Sequence, residues 1–324
     1  MNFSKLLKFF FTLVLIFSYQ VSFSQYSKSH YIPPVTSTGN GAANAEVQYI
    51  YISTPSENPI SVTIFPMGGD PVTNNTVSNS NPWEYYIGNG TNTNLIIRTN
   101  NLDGSTFDNK GFIVESEDLT YVSVRLFSGD NYQAGSIVSK GVAALGTEFR
   151  AGSFENEGNL TGTTPQNYLN FISVLATQDN TTVDFKEFGN GVTILNNIPT
   201  ENIILNSGES YSVAISPYPS TTNSANASGL IGTLIESDKP IAVNSGSFTG
   251  SNSNYNEGGG QDLGIDQVAP ANIIGNEYIF VRGLGPDEVE RPLIVAHEDN
   301  TEVYVNGNLQ VRCFTNWKGV KSYS

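Results

Sequence analysis

Two histidines, one cysteine and a few loop carboxylates are the residues of this chain whose types suit chemistry. A Ser-His-Asp or Cys-His arrangement needs an imidazole as its base, so only His30 and His297 qualify. His297 stands beside Glu298 in "HEDNT", a stretch that recurs with Ser56, Ser116, Thr177 or Glu236 in the same slot. A catalytic base does not alternate with such residues, so His297 reads as a structural position. His30, near the N-terminus, reads as a packing residue. Zinc needs three or four clustered His, Cys or acidic ligands; the sequence offers no such cluster, and Cys313 stands alone.

Glycoside cleavage needs two carboxyl groups about 5–9.5 Å apart. The candidates are Asp262 and Asp266 in "GGGQDLGIDQ", with Glu257 nearby and Glu209 further back. The competing reading is a solvated acidic loop in which Asp266 and Gln267 organise the strand that follows. A phosphate cradle is excluded, because "GGGQDLG" has neither the lysine nor the helix start that a phosphate needs. Aromatic residues beside amides suit stacking on sugars or docking on proteins. Trp83 and Tyr85 in "PWEYY" and Tyr255 in "NYNE" are of this kind. The candidate binding set is therefore Trp83, Tyr85, Tyr255, Asp262, Asp266 and Gln267, with the rings capping sheet edges as the alternative. No cofactor is implied; Ca²⁺ is the one ion that acidic turns with free backbone oxygens suit.

These residues need a scaffold. Residues 1–24 have the plan of a secretory signal peptide: Lys5 and Lys8, an apolar run Phe9–Phe17, then Ser22 and Ser24 as small residues before the cut. The run is shorter than the roughly 20 residues a membrane span needs. Cleavage moves the formal charge from −15 to −17, since the leader removes two lysines and no acid. Such a surface repels phosphate backbones, which argues against nucleic acid as a partner. With a single cysteine, the exported domain must be held by its own core rather than by disulfides.

The remainder reads as all-β. Short β-branched and aromatic runs such as "VQYIYIST", "YVSVRLF", "FISVLAT" and "EYIFVRG" alternate apolar with polar residues and end in Gly, Asn, Asp, Ser or Pro. An acidic turn recurs five times, as "SENPI", "SEDLT", "TQDNT", "ESDKP" and "HEDNT". Its markers Asn58, Asp118, Asp179, Asp238 and Asp299 lie 60, 61, 59 and 61 residues apart. Turns one, three and five share one style and turns two and four another, so the underlying unit is about 120 residues, present two and a half times. Asp and Asn favour hairpin turns, and four strands per 60 residues predict a propeller-like blade, with a tandem β-sandwich as the alternative.

Four stretches in order carry a resemblance: "HYIPPV", "LNSGESYSV", "LIGTLIESDKPIAVNSG" and "DQVAPANIIGNEYIFVRG". They resemble the N-terminal domain of IgGFc-binding proteins, closest to the versions in gliding, flavobacteria-like organisms. The resemblance covers His30 to about Asn308. It implies a surface protein exported by type IX secretion, shown on the outer surface of a Gram-negative bacterium or secreted, with a role in adhesion or gliding. The family name alone does not imply Fc binding here, since kinship of fold does not fix function. Such proteins often carry a C-terminal sorting domain, and none follows in this chain; the tail 309–324 breaks the period and reads as a truncation. The organisation expected is a leader 1–24, an N-terminal extension 25–45, a β-repeat domain 46–308 and that tail. The function expected is non-catalytic binding of an extracellular protein or glycan. The alternatives are a propeller-type glycoside hydrolase and a structural spacer in a larger surface protein.

Overall fold

The computed structural model describes residues 25–129, 133–154, 156, 168–217, 224–251, 261–281, 283–284, 292–312 and 320–321. Among these the chain is all-β, with short 3-10 turns and no helix long and apolar enough to cross a membrane. The leader, Glu257 and Tyr255 lie outside the described residues.

The strands fall into two sets that repeat one another. The first set is β1 (Ser27–Ile32), β2 (Val35–Ser37), β3 (Ala45–Ser53), β4 (Ile60–Pro66), β5 (Val72–Val77), β6 (Trp83–Gly88), β7 (Ile96–Arg98), β8 (Phe112–Ser128) and β9 (Gln133–Val138). The second is β10 (Gly146–Arg150), β11 (Asn170–Ala176), β12 (Thr181–Lys186), β13 (Ile203–Leu205), β14 (Ser210–Ile215), β15 (Leu234–Gly250) and β16 (Asp262–Gln267). Seven strands of each set form one sheet. The first runs β5-β4-β8-β3-β6, with β1 and β9 also on β8; the second runs β13-β12-β15-β11-β14, with β10 and β16 also on β15. The two seven-stranded sheets match strand for strand, while β2 and β7 pair with each other in parallel and have no counterpart in the second set; the duplicated unit is the 120-residue one.

Each sheet is organised by its 17-residue strand. The first half of β8 lies between β1 and β4 and the second half between β9 and β3. β15 divides the same way among β10, β12, β11 and β16. This corrects the hairpin reading of two of the acidic turns. "SEDLT" and "ESDKP" are not hairpin turns but the polar middles of continuous strands, where one set of partners hands over to the other. Pro240 is tolerated there because a missing N–H does least harm at an interruption of the ladder. Strands β3 and β4 flank "SENPI" yet do not pair with each other; both pair with β8.

The 60-residue spacing therefore records two kinds of segment that meet at one corner. In the first unit the Thr54 hydroxyl donates to Leu119 O (2.7 Å), and the Ser61 N–H donates to Glu117 Oε2 (3.3 Å). In the second, Thr177 donates to Pro240 O (2.6 Å) and the Thr182 N–H to Asp238 Oδ1 (2.7 Å). The "DNT" of turns three and five has a local cause as well. Asn180 and Asn300 both adopt the left-handed conformation, at φ 53° and 58°, which Asn tolerates. Thr181 and Thr301 each donate to the carbonyl three residues back, both at 2.7 Å.

One continuous apolar core runs from Ile32 to Ile265 through both sheets. A third, partial set follows: β17 (Leu293–Ile294), β18 (Glu302–Val305), β19 (Asn308–Arg312) and β20 (Val320–Lys321), with a small separate core around Val303. The "EYIFVRG" segment, expected as a strand, is unpaired by any strand over 277–281, and only Leu293–Ile294 of "PLIVAH" is strand.

Candidate binding face

The pleat decides which aromatics meet solvent. In β3, Ile50 and Ile52 are fully buried, so Tyr49 and Tyr51 point to the opposite face. On β6, Tyr49 faces Tyr86 and Tyr51 faces Glu84; on β8, Tyr49 faces Arg125. These five side chains form one outward patch. The Tyr49 ring lies 5.5 Å from Tyr86 and 5.8 Å from Tyr51, and the Arg125 guanidinium sits 4.9 Å from the Tyr51 ring centre. That is within cation–π range. Partial desolvation, then hydrogen bonding to the Glu84 carboxylate, raise the Tyr51 phenol above its ordinary pKa, while Arg125 pulls the other way. Tyr86 is 54% exposed.

The duplicated unit supplies an internal control. Counting back from Thr54 and Thr177, which make the same corner bond in the two units, Tyr49 and Tyr51 correspond to Ile172 and Val174 of β11. Both of those are fully buried, because every residue of β11 is covered. The first unit thus leaves this face open and furnishes it with tyrosines, whereas the second closes it with aliphatics.

Of the residues selected from sequence, Trp83 and Tyr85 occupy the inner face of β6. They contact each other edge-to-face at 5.9 Å, and Tyr85 meets buried Phe112 at 6.5 Å. The exposed ring of "PWEYY" is Tyr86. Gln267 is fully buried and spans the two units: its amide donates to Tyr31 O, and its oxygen accepts from the Lys140 N–H, both at 2.6 Å. Asp262 Oδ1 accepts from the backbone of Ala134 (3.0 Å) and Leu263 (2.9 Å). Asp266 pairs with Lys140 at 2.8 Å and borders a groove of about 600 Å³ between β16 and the third set. Glu209 Oε2 accepts from the Asn206 N–H in a tight turn elsewhere. Each of these carboxylates is thus engaged in holding local backbone or a cation. Among the described residues no group of three His, Cys, Asp or Glu is placed to hold a metal ion.

His30 is buried. Its Nε2 lies 3.2 Å from Ser27 O and 3.1 Å from Thr120 O, two groups that only accept, so Nε2 carries the proton and Nδ1 accepts from Ser139 Oγ at 3.0 Å. Burial lowers its pKa to about 4, against the opposing pull of the two carbonyls.

The described residues form two duplicated β-sheet units, the first of which presents an open tyrosine face. The family model described as IgGFc binding protein matches residues 134–316, more than half of the chain, and the chain belongs to that family. It is a family of binding domains, typically extracellular, and not a known family of enzymes. No curated protein and no solved structure matches the chain.

Proposed function

We propose that this protein is an exported, non-catalytic adhesion module that docks on an extracellular protein through the Tyr49–Tyr51–Tyr86–Arg125 face. The observation that carries this reading is the contrast between the two units: the same sheet position is aliphatic and covered in one, tyrosine-rich and open in the other. Tyr and Arg are the residues that most often supply protein-interface energy, and Glu84 adds a polar partner at the rim. The signal-peptide plan of residues 1–24 and the likeness to gliding-organism surface proteins support display at the outer surface of a Gram-negative bacterium by type IX secretion.

The test is an array of purified extracellular proteins, immunoglobulin Fc included, run beside a glycan array, with Ca²⁺ and with chelator. Wild type is compared with a Tyr51→Ala/Arg125→Ala variant. Protein binding that weakens roughly tenfold or more in the variant is expected. Glycan binding lost in the variant, with a silent protein array, makes the ligand a sugar. Binding that the substitutions leave untouched removes this face from the function, and silence on both arrays favours a structural spacer.

A further inference from the structure

One corner of the tyrosine face is furnished for a positive charge. β6 is the last strand on its side of the first sheet, so Glu84 and Tyr86 stand at an edge, beside Tyr51 and Tyr49 of β3. Arg125 reaches the same rings from the other side, on β8, and lies 4.9 Å from the centre of Tyr51. Among the described residues no cation lies over Tyr49 or Tyr86. The Tyr49 ring is tilted by 53° to Tyr86 and by 49° to Tyr51, so these rings do not seal one another face to face. Their centres are 5.5 and 5.8 Å apart, and one cation over Tyr49 can fall within the roughly 6 Å reach of a second ring. Glu84, exposed on the same face, already accepts from the Tyr51 phenol and has lone pairs to spare.

Charge decides what fits there. An apolar partner would strip water from Glu84 and Arg125 and return nothing for it. A cation offsets the carboxylate and uses the ring faces at the same time. The surroundings act in the same sense at longer range: residues 25–138 carry ten acidic and four basic side chains. Of the four, Lys28 is already paired with Asp118. Such a unit attracts a basic partner and repels a second copy of this chain, whose formal charge is −15. The seven strands of the first sheet match those of the second one for one, so the corner is not a gap left by a missing strand of the fold.

We infer that the corner of Tyr49, Tyr86 and Glu84 takes a lysine or arginine side chain from a basic segment of the docked protein, which rests on the docking reading above. The aliphatic stem of that side chain lies along the rings and its charged head meets the Glu84 carboxylate. The ring faces and the carboxylate hold the cation, and the acidic unit around them speeds its arrival.

The experiment titrates a fluorescent Gly-Ser-Lys repeat peptide into the full chain, read by anisotropy, beside peptides with arginine, norleucine or glutamate in place of lysine. The lysine and arginine peptides should bind at least tenfold more tightly than the other two, and less tightly as salt rises. Tyr49→Phe/Tyr86→Phe keeps the rings and should hold binding within about twofold. Tyr49→Leu/Tyr86→Leu keeps charge and apolar bulk but removes the rings, and should weaken it about fivefold or more. Glu84→Gln should weaken it several-fold. No binding of the lysine peptide overturns the proposal, as does norleucine binding as tight as lysine, or Phe and Leu variants that bind alike. The docking reading is decided separately, by the array with Tyr51→Ala/Arg125→Ala. Array hits lost in that variant, with basic peptides that fail here, keep the docking face and overturn only its cationic partner.

Discussion

At the scale of single residues, His30 links burial to pH. Its neutral ring serves β1, the middle of β8 and the segment after β9 together through Ser27, Thr120 and Ser139. Because the folded pKa is about 4 against an ordinary 6.5, the unfolded chain takes up the proton first. The contribution is complete above pH 6.5 and is lost as pH falls from there to about 4, by at most about 3 kcal/mol. Urea unfolding of wild type and His30→Gln across that range checks this. The variant should be less stable at pH 7 yet lose less stability on acidification; equal slopes would show that His30 does not couple folding to protons. The buried role of His30 was readable from the sequence, because a lone imidazole without acidic or thiol companions has little chemistry to do. The tyrosine face was not. In "PWEYY" and "VQYIYIST" the amphipathic Tyr fits either side of a strand, so composition cannot fix the phase, and a shift of one residue exchanges Tyr85 for Tyr86. Only pairing with β3, whose Ile50 and Ile52 must be inside, sets it.

At the scale of elements, the long strands are what the sequence disguised. A run such as Ser116–Thr120 carries the polar, acidic residues of a turn, and nothing local distinguishes a turn from a strand changing partners. The distinction lies in bonds from residues about 60 positions away, those of Thr54 and Thr177. What was legible was the period itself, since the left-handed Asn and the Thr back-bond of turns three and five are local chemistry. The second half of β15 also depends on close approach at Gly246, which pairs with Phe171 on one side and Ile265 on the other. A Cβ there would stand 2.1 Å from Gly264 O and 2.7 Å from Ile265 Cα, at φ 154°. Both obstacles are backbone, so no side chain can swing aside. Gly246→Ala should destabilise by about 2 kcal/mol or more through strain and loss of β16 pairing. Gly152→Ala, where nothing lies within 4 Å, should change little. Chemical denaturation of the two variants decides it; equal effects would show that β16 gives way freely.

At the scale of the molecule, the two units are welded by polar groups as well as by apolar contact. Asn244 of β15 is fully buried and donates to Pro33 O at 2.7 Å. Gln267 reaches Tyr31 O, and the Thr36 hydroxyl meets that of Ser212 at 2.6 Å. These bonds cross from one repeat to the other inside a single core. None was visible in the sequence, where Gln267 read as a ligand-binding residue, because their partners are set by how the two sheets pack and not by any local pattern. A duplicated protein whose units fold alone would show two thermal transitions. Here the shared core and buried cross-bonds argue for one. Asn244→Ala removes the donor to Pro33 O and leaves that carbonyl buried, at a cost of about 1–3 kcal/mol. Scanning calorimetry should therefore show one main transition whose midpoint falls by a few degrees in the variant. A split into two transitions, with only one of them displaced, would mean that the repeats are independent folding units joined side by side. The small core around Val303 is separate from the large one, so amides of β18 should exchange with deuterium well before those of β8 and β15. Because calorimetry reports the weld and exchange the third set, the two readings stand or fall separately.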